Sequence, residues 1–163
     1  MEHNADQNLE ALPVRFTIGG MTGEVIAWPE SNDDGSFIAQ LTIPPDAGKF
    51  LVPLHRHATQ ERNEIIAGRA RVTHGFDDHQ ETTELVPGDH VLLGSQEWHG
   101  LSNLSHQEDL VIRQTQTPGD QWAQMVQMGA EQIRKTGQLP PDFQKWSFAY
   151  LGIEFQGRGS GAR

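Results

Sequence analysis

From residue 14 to residue 116 the chain is a succession of β-prone runs, each five to eight residues long, broken by clusters of Gly, Pro, Asn and Asp. The runs are "VRFTI", "GEVIAW", "SFIAQLTI", "FLVPLHRH", "NEIIA", "ARVTH", "ETTELV", "HVLLG", "HGLSN" and "DLVIRQTQ". Short strands at this spacing favour a sandwich or barrel, because alternating βα units need helical stretches between strands and none intervenes. "NDDG" (32–35) and "GFDDHQ" (75–80) are expected hairpin connections, the first carrying an Asp-Gly pair that tolerates positive φ.

The pattern changes after "TPGD". Pro118, Gly119 and Asp120 resemble a helix entry, and Trp122, Met125, Val126, Gly129 and Ile133 recur at helical spacing. Gly137 and Pro140-Pro141 form a stop. The spacing predicts an amphipathic helix over 121–136 that packs on the β unit; its Trp and Met stripe is core packing and is assigned no chemistry. The expected organisation is an N-terminal tail (1–13), a β domain (14–116), a helical extension (117–150) and a C-terminal tail (151–163).

Charge and composition narrow the function. Twelve Lys and Arg against 22 Asp and Glu give a net charge of −10, a field that repels phosphate backbones and anionic lipid. Nucleic-acid and membrane partners are therefore not expected. The acidic start "MEHNADQNLEALP" lacks the features of a secretory signal, so a cytoplasmic location is expected. With no Cys in the chain, thiolate nucleophiles and Cys-type metal sites are excluded, and any metal must be held by nitrogen and oxygen.

The candidate chemistry begins at "PLHRHATQERNEIIAG", residues 53–68. Alternation along a strand points His55 and His57 the same way, with Arg56 on the opposite side. Glu61 follows four residues after His57, and a hairpin there brings its carboxylate to face both imidazoles. Glu64 is the competing carboxylate. Alternation places Glu61, Asn63 and Ile65 on one face and Glu64 on the other, so Glu61 is preferred. Downstream, in "PGDHVLLGSQEWHGLSN" (87–103), His99 opens a strand after a short loop and supplies a fourth ligand. His74, His79, His90 and His106 lack such paired spacing and are read as solvated or locally hydrogen-bonded.

These two segments resemble the paired motifs of the cupin superfamily, in its small single-domain, metal-binding form. The first reads His55, His57, Glu61 and Gly68; the second runs from Gly88 through Gly94 and His99 to Asn103. The resemblance covers about residues 36–116. Six residues rather than the usual five separate Gly48 from His55, and Gly94 and Gln96 replace the usual Pro and Gly of the second motif. Gln96 then falls where positive φ is preferred, at a cost of roughly 1 kcal/mol.

The resemblance implies a double-stranded β-helix, a jelly-roll barrel, with a divalent transition metal inside its open end: iron, manganese, nickel, copper, cobalt or zinc. It also implies a metal-dependent enzyme acting on a small-molecule substrate. A dioxygenase working on a phenolic, enol or dicarbonyl compound leads, and Glu61 loosens to act as base, as in dioxygenases of the flavonol-cleaving type. A non-redox isomerase, cyclase or lyase, and a non-catalytic ligand-binding protein, are the alternatives. Gln40, Asn63, Arg71, Trp98 and Arg113 are candidate pocket residues, Asp89 shapes a turn, and Asn103 is a structural hydrogen-bonder. A homodimer is expected, because sheet edges of such barrels pair across dimers.

Overall fold

The structure, a computed structural model, describes residues 14–45 and 52–156. Gly48, the tail 1–13 and the end of the expected C-terminal tail lie outside the described residues. In chain order the elements are β1 (Arg15–Ile18), β2 (Met21–Ala27), β3 (Phe37–Ile43), β4 (Val52–Arg56), β5 (Gln60–Ala67), β6 (Ala70–Gly75) and β7 (Glu81–Leu85). They continue with β8 (His90–Leu93), β9 (Trp98–Asn103), β10 (Leu110–Thr117), α1 (Asp120–Thr136), α2 (Phe143–Tyr150) and β11 (Glu154–Phe155). All ten β-prone runs contribute strands.

Two antiparallel sheets face each other, one ordered β1-β2-β3-β10-β5-β8 and the other β11-β4-β9-β6-β7. Alternation decides which residues meet between them. In β3 the buried residues Phe37, Ala39, Leu41 and Ile43 alternate with half-buried neighbours, and in β5 Glu61, Asn63 and Ile65 turn inward. Ile65, Leu110 and Ile112 are at most 1% exposed, and each such side chain contributes roughly 1.5–3 kcal/mol through burial. The expected hairpins form: β2 pairs with β3 across "NDDG", with Gly35 at φ 70°, and β6 pairs with β7 across "GFDDHQ".

The C-terminal region departs from expectation. Helix α1 is as predicted, with Trp122, Met125, Val126 and Gly129 buried, and it ends at Gly137, whose φ of 79° and N–H to Ile133 O close the last turn. Ile133, by contrast, is 42% exposed. A second helix, α2, follows, and the segment expected to be a tail returns to the barrel: β11 pairs with β4, placing Phe155 opposite His55. Two residues of strand carry too little periodicity to be legible in sequence. Among the described residues, no helix is long and apolar enough to cross a membrane.

Candidate metal centre

His55, His57, Glu61 and His99 converge between the two sheets, each offering one ligand atom, with those atoms all within 4.8 Å of one another. Their origins follow from topology. His55 sits on β4 directly opposite His99 on β9, so two segments 44 residues apart meet as a cross-strand pair. His57 follows the end of β4, and Glu61 comes from β5 of the facing sheet. The His55 and His99 ring centroids are 4.2 Å apart, and those of His57 and His99 are 4.9 Å apart. All four residues are at most 8% exposed.

Each imidazole has one nitrogen committed to the backbone. His55 Nδ1 lies 2.8 Å from Pro53 O, His57 Nδ1 3.0 Å from Thr59 O, and His99 Nδ1 2.8 Å from Glu97 O. A carbonyl only accepts, so each Nδ1 carries the hydrogen and each Nε2 is left to face inward. His57 Nε2 is 3.1 Å from Glu61 Oε2, whereas His99 Nε2 is 3.5 Å from the same oxygen and has no hydrogen-bond partner despite being buried. At 3.5 Å the second contact is electrostatic rather than a hydrogen bond.

Glu61 is fixed from behind. Asn63 Nδ2 donates to Oε1 at 2.6 Å, and Gln116 Nε2 donates to Oε2 at 2.7 Å. Gln116 is fully buried and in turn accepts from Thr59 Oγ1 at 2.6 Å, so one chain of hydrogen bonds ties the His57 loop to the carboxylate. A buried carboxylate without partners is costly; here both oxygens are satisfied.

The electrostatics follow from this packing. Burial alone raises the Glu61 pKa, but the imidazoles of His57 and His99 outweigh it and hold the carboxyl well below the usual range. Burial pushes His55 down, reinforced by neighbouring His99 and opposed by Glu61, to about 4. Burial also lowers His99, yet the Glu61 carboxylate more than compensates and its pKa rises. Three imidazole nitrogens, among them the orphaned buried Nε2 of His99, and one carboxylate oxygen fit a divalent transition metal. Hard oxygen-seeking ions fit such a nitrogen-rich set poorly.

The cluster opens onto a cavity of about 80 Å³. Its walls include Leu41, Leu93, Ile112, Trp122, Phe148 and Phe155, and His55, Glu61, Asn63, His99 and Gln114 supply the polar surface. Trp122 packs edge-on to His57, and Phe155 packs on both His55 and Phe148, so the C-terminal segment forms part of the cavity wall. The helix that the sequence reading assigned to packing alone therefore helps enclose the site.

Of the five pocket residues expected from sequence, only Asn63 lines the cavity. Gln40 alternates to the outer face of β3 and borders a groove beside Arg15 and Glu24. Arg71 is exposed and pairs with Glu84, and Arg113 is exposed on β10. Trp98 is half-buried beneath the Arg56 guanidinium, 4.8 Å from its ring centroid. The correction has one physical cause: a phase error of one residue turns a side chain to the other face, and in β10 the inward residues are Ile112, Gln114 and Gln116 rather than Arg113. Gln114 and Gln116 escape the sequence reading for the same reason, and alternation counted outward from Ile112 finds both; Thr59 lies in the turn between β4 and β5, where no strand period applies.

The remaining motif residues fall as expected. Glu64 is half-buried and pairs with His90 and Arg113 in register, away from the cluster. Asn103 donates to Ile43 O and Glu108 O, and Asp89 accepts from Val86 N. Gln96 adopts φ 61°, and its N–H reaches His57 O at 2.7 Å, so the departure from glycine leaves the loop intact. His74 is held by Glu97 at 3.1 Å.

Comparison with solved structures agrees on the fold. A cupin-2 domain protein from Rhodospirillum rubrum aligns with TM-score 0.51 at 16% identity, covering 64% of this chain and 68% of that one. KdgF from Halomonas sp. aligns with TM-score 0.52 at 17% identity over 66% of this chain and 89% of its own. Oxalate oxidase aligns with TM-score 0.51 at 16% identity over 63% of this chain, which spans 54% of the oxidase. No protein-family model matches the sequence, and no curated protein sequence does. The chain has the cupin fold, a double-stranded β-helix, and its His-His-Glu-His group could hold a metal ion. At these identities the likeness is one of fold, and what this particular chain does is argued from its own site.

Proposed function

We propose that this protein is a metal-dependent enzyme acting on a small organic molecule, with oxygenation of a phenolic, enol or dicarbonyl substrate as its reaction. The observation that carries the reading is that His55, Glu61 and His99, three members of the four-residue cluster, also line a cavity whose remaining walls are largely apolar. Side chains that ligate and also face a cavity belong to an open site rather than a closed structural one.

His55, His57, Glu61 and His99 would hold a divalent iron, manganese, nickel, copper, cobalt or zinc ion, and the carbonyls of Pro53, Thr59 and Glu97 set their tautomers. A bound ion would supply Lewis acidity, lowering the pKa of a ligated hydroxyl, and, if redox-active, a place for dioxygen. Three neutral imidazoles and one carboxylate leave a divalent site with a net charge of +1, which favours a monoanionic ligand such as an enolate or phenolate. The apolar walls exclude water and position the substrate.

Proton abstraction by Glu61 belongs to the same proposal. The anchoring of both its oxygens by Asn63 and Gln116 favours the alternative in which Glu61 stays a ligand and the ion acts only as Lewis acid in an isomerisation, cyclisation or elimination. The homodimer and the cytoplasmic location are also proposals; exposed Ile66 and Leu92 on the outer face of β5 and β8 support the first.

Elemental analysis of purified protein followed by oxygen uptake against phenolic and dicarbonyl compounds tests the reading. Oxygen consumption with product formation is the expected result; product without oxygen consumption points to the Lewis-acid alternative. Ligand-dependent stabilisation with no turnover would leave a binding protein.

A further inference from the structure

The hydrogen bonds behind the cluster have a direction. Glu61 is acceptor-only as a carboxylate, so Asn63 must present its NH2 to Oε1, at 2.6 Å. Asn63 Oδ1 therefore faces the other way and needs a donor, which Gln114 Nε2 provides at 3.2 Å. That fixes the amide of Gln114 as well. Its NH2 is turned to Asn63, which leaves Oε1 on the opposite side of the amide as a free acceptor in the cavity lining.

Asn63 and Gln114 both line the cavity that His55, Glu61 and His99 also line. Around them stand Ile18, Leu41, Leu101, Ile112, Phe148 and Ile153. A ligand here meets polar side chains from His55, Glu61, Asn63, His99 and Gln114, with apolar side chains making up most of the rest of the wall. A second charged group on it would be pressed against aliphatic and aromatic walls, where an unpaired charge is costly.

We propose that Gln114 is the substrate-recognising side chain of this site, and that the cavity takes a small, otherwise apolar molecule carrying a hydroxyl group whose O–H is accepted by Gln114 Oε1 while a neighbouring oxygen of the same molecule faces the His/Glu cluster. This rests on the metal-centre reading above and narrows it to hydroxylated neutral compounds that enter as monoanions at most, rather than dicarboxylates. Gln114 touches no residue of the cluster directly; it acts on the ligand, and its orientation comes from the Glu61 carboxylate through Asn63.

The test uses cobalt(II)-loaded full-length protein and three probes, catechol, phenol and oxalate, titrated by calorimetry and by the cobalt absorption bands. Catechol keeps one O–H after the other oxygen is bound; phenol does not; oxalate is a dianion. Wild-type protein is expected to bind catechol at least about fivefold more tightly than phenol, the scale of one hydrogen bond, and to bind oxalate more weakly than catechol. In Gln114→Leu, with cobalt content unchanged, the catechol-to-phenol ratio falls toward that of cobalt in a site without the acceptor. Gln114→Met serves if the leucine variant does not fold.

An unchanged ratio in the leucine or methionine variant, tighter binding of oxalate than catechol by wild type, or no catechol binding by cobalt-loaded protein would each overturn the inference. Failure of wild-type protein to take up cobalt at all would instead remove the metal-centre reading, an outcome separable because metal content is measured first.

Discussion

Glu61 Oε2 lies 3.1 Å from His57 Nε2 and is held there by the amide of a fully buried Gln116 at 2.7 Å. The carboxylate is thus placed before any ion arrives, and the group that holds this oxygen comes from β10, outside the two segments that carry the ligands.

Removing Gln116 should therefore weaken metal binding without touching a ligand. Gln116→Leu is expected to lower metal affinity roughly 10–100-fold, the range for outer partners of a ligand. It should also destabilise the metal-free protein by about 1–3 kcal/mol, because Thr59 Oγ1 and Glu61 Oε2 lose buried partners. Competition with a chromophoric chelator measures the first effect and urea unfolding the second; unchanged affinity would show that Gln116 is only packing.

Loss of a ligand should be more severe. His57→Ala and His99→Ala each open the shell, and the expected loss of affinity exceeds that of the Gln116 variant. Metal content after dialysis checks it, and full occupancy in the double variant would contradict the site.

The metal-free protein should become less stable as pH falls. His55 has a folded pKa of about 4 against an ordinary value of 6.5, so between these values the unfolded chain binds the proton that the folded chain refuses. Unfolding free energy then drops by up to about 1.4 kcal/mol per pH unit across that window, roughly 3 kcal/mol from this residue. Glu61, whose pKa is depressed, acts in the same direction at lower pH, while His99, whose pKa is raised, opposes it above the ordinary histidine value. Denaturant titrations of metal-free protein at pH 7 and pH 5 read the net slope. Metal binding should itself weaken as pH falls through the raised His99 value, where a proton competes for that imidazole.

Metal should in turn stabilise the fold. An ion that binds only the folded chain adds about 2.7 kcal/mol at a hundredfold excess over Kd, which for a chain of this size raises Tm by roughly 5–10 °C. Differential scanning fluorimetry with each candidate ion also ranks them.

The loop before His99 offers a conformational test. Gln96 holds φ 61°, a region where a β-branched side chain is strongly disfavoured. Gln96→Val should cost about 1–3 kcal/mol, and Gln96→Gly should remain within about 1 kcal/mol of wild type. Equal stability of the two variants would mean that the loop rearranges.

Legibility followed the strength of the local signal. The strands were readable because inward apolar residues alternate, as in Phe37, Ala39, Leu41 and Ile43, and the ligands because His55, His57 and Glu61 share one inward phase. Phase is not legible where a strand carries polar residues on both faces: "RQTQ" in β10 gives no apolar contrast that separates exposed Arg113 from inward Gln114 beside it. The pairing of Phe155 with His55 was not legible, because a two-residue strand has no period and its partner lies about 100 residues earlier. Nor was the orphaned Nε2 of His99, since a missing partner is a property of packing.

The most direct measurement is the metal content of wild-type protein set beside His99→Ala after equal exposure to a mixture of the six ions and exhaustive dialysis. The account predicts close to one transition-metal ion per wild-type chain and little in the variant. Wild-type protein that emerges metal-free, or a variant that retains as much as wild type, would contradict it.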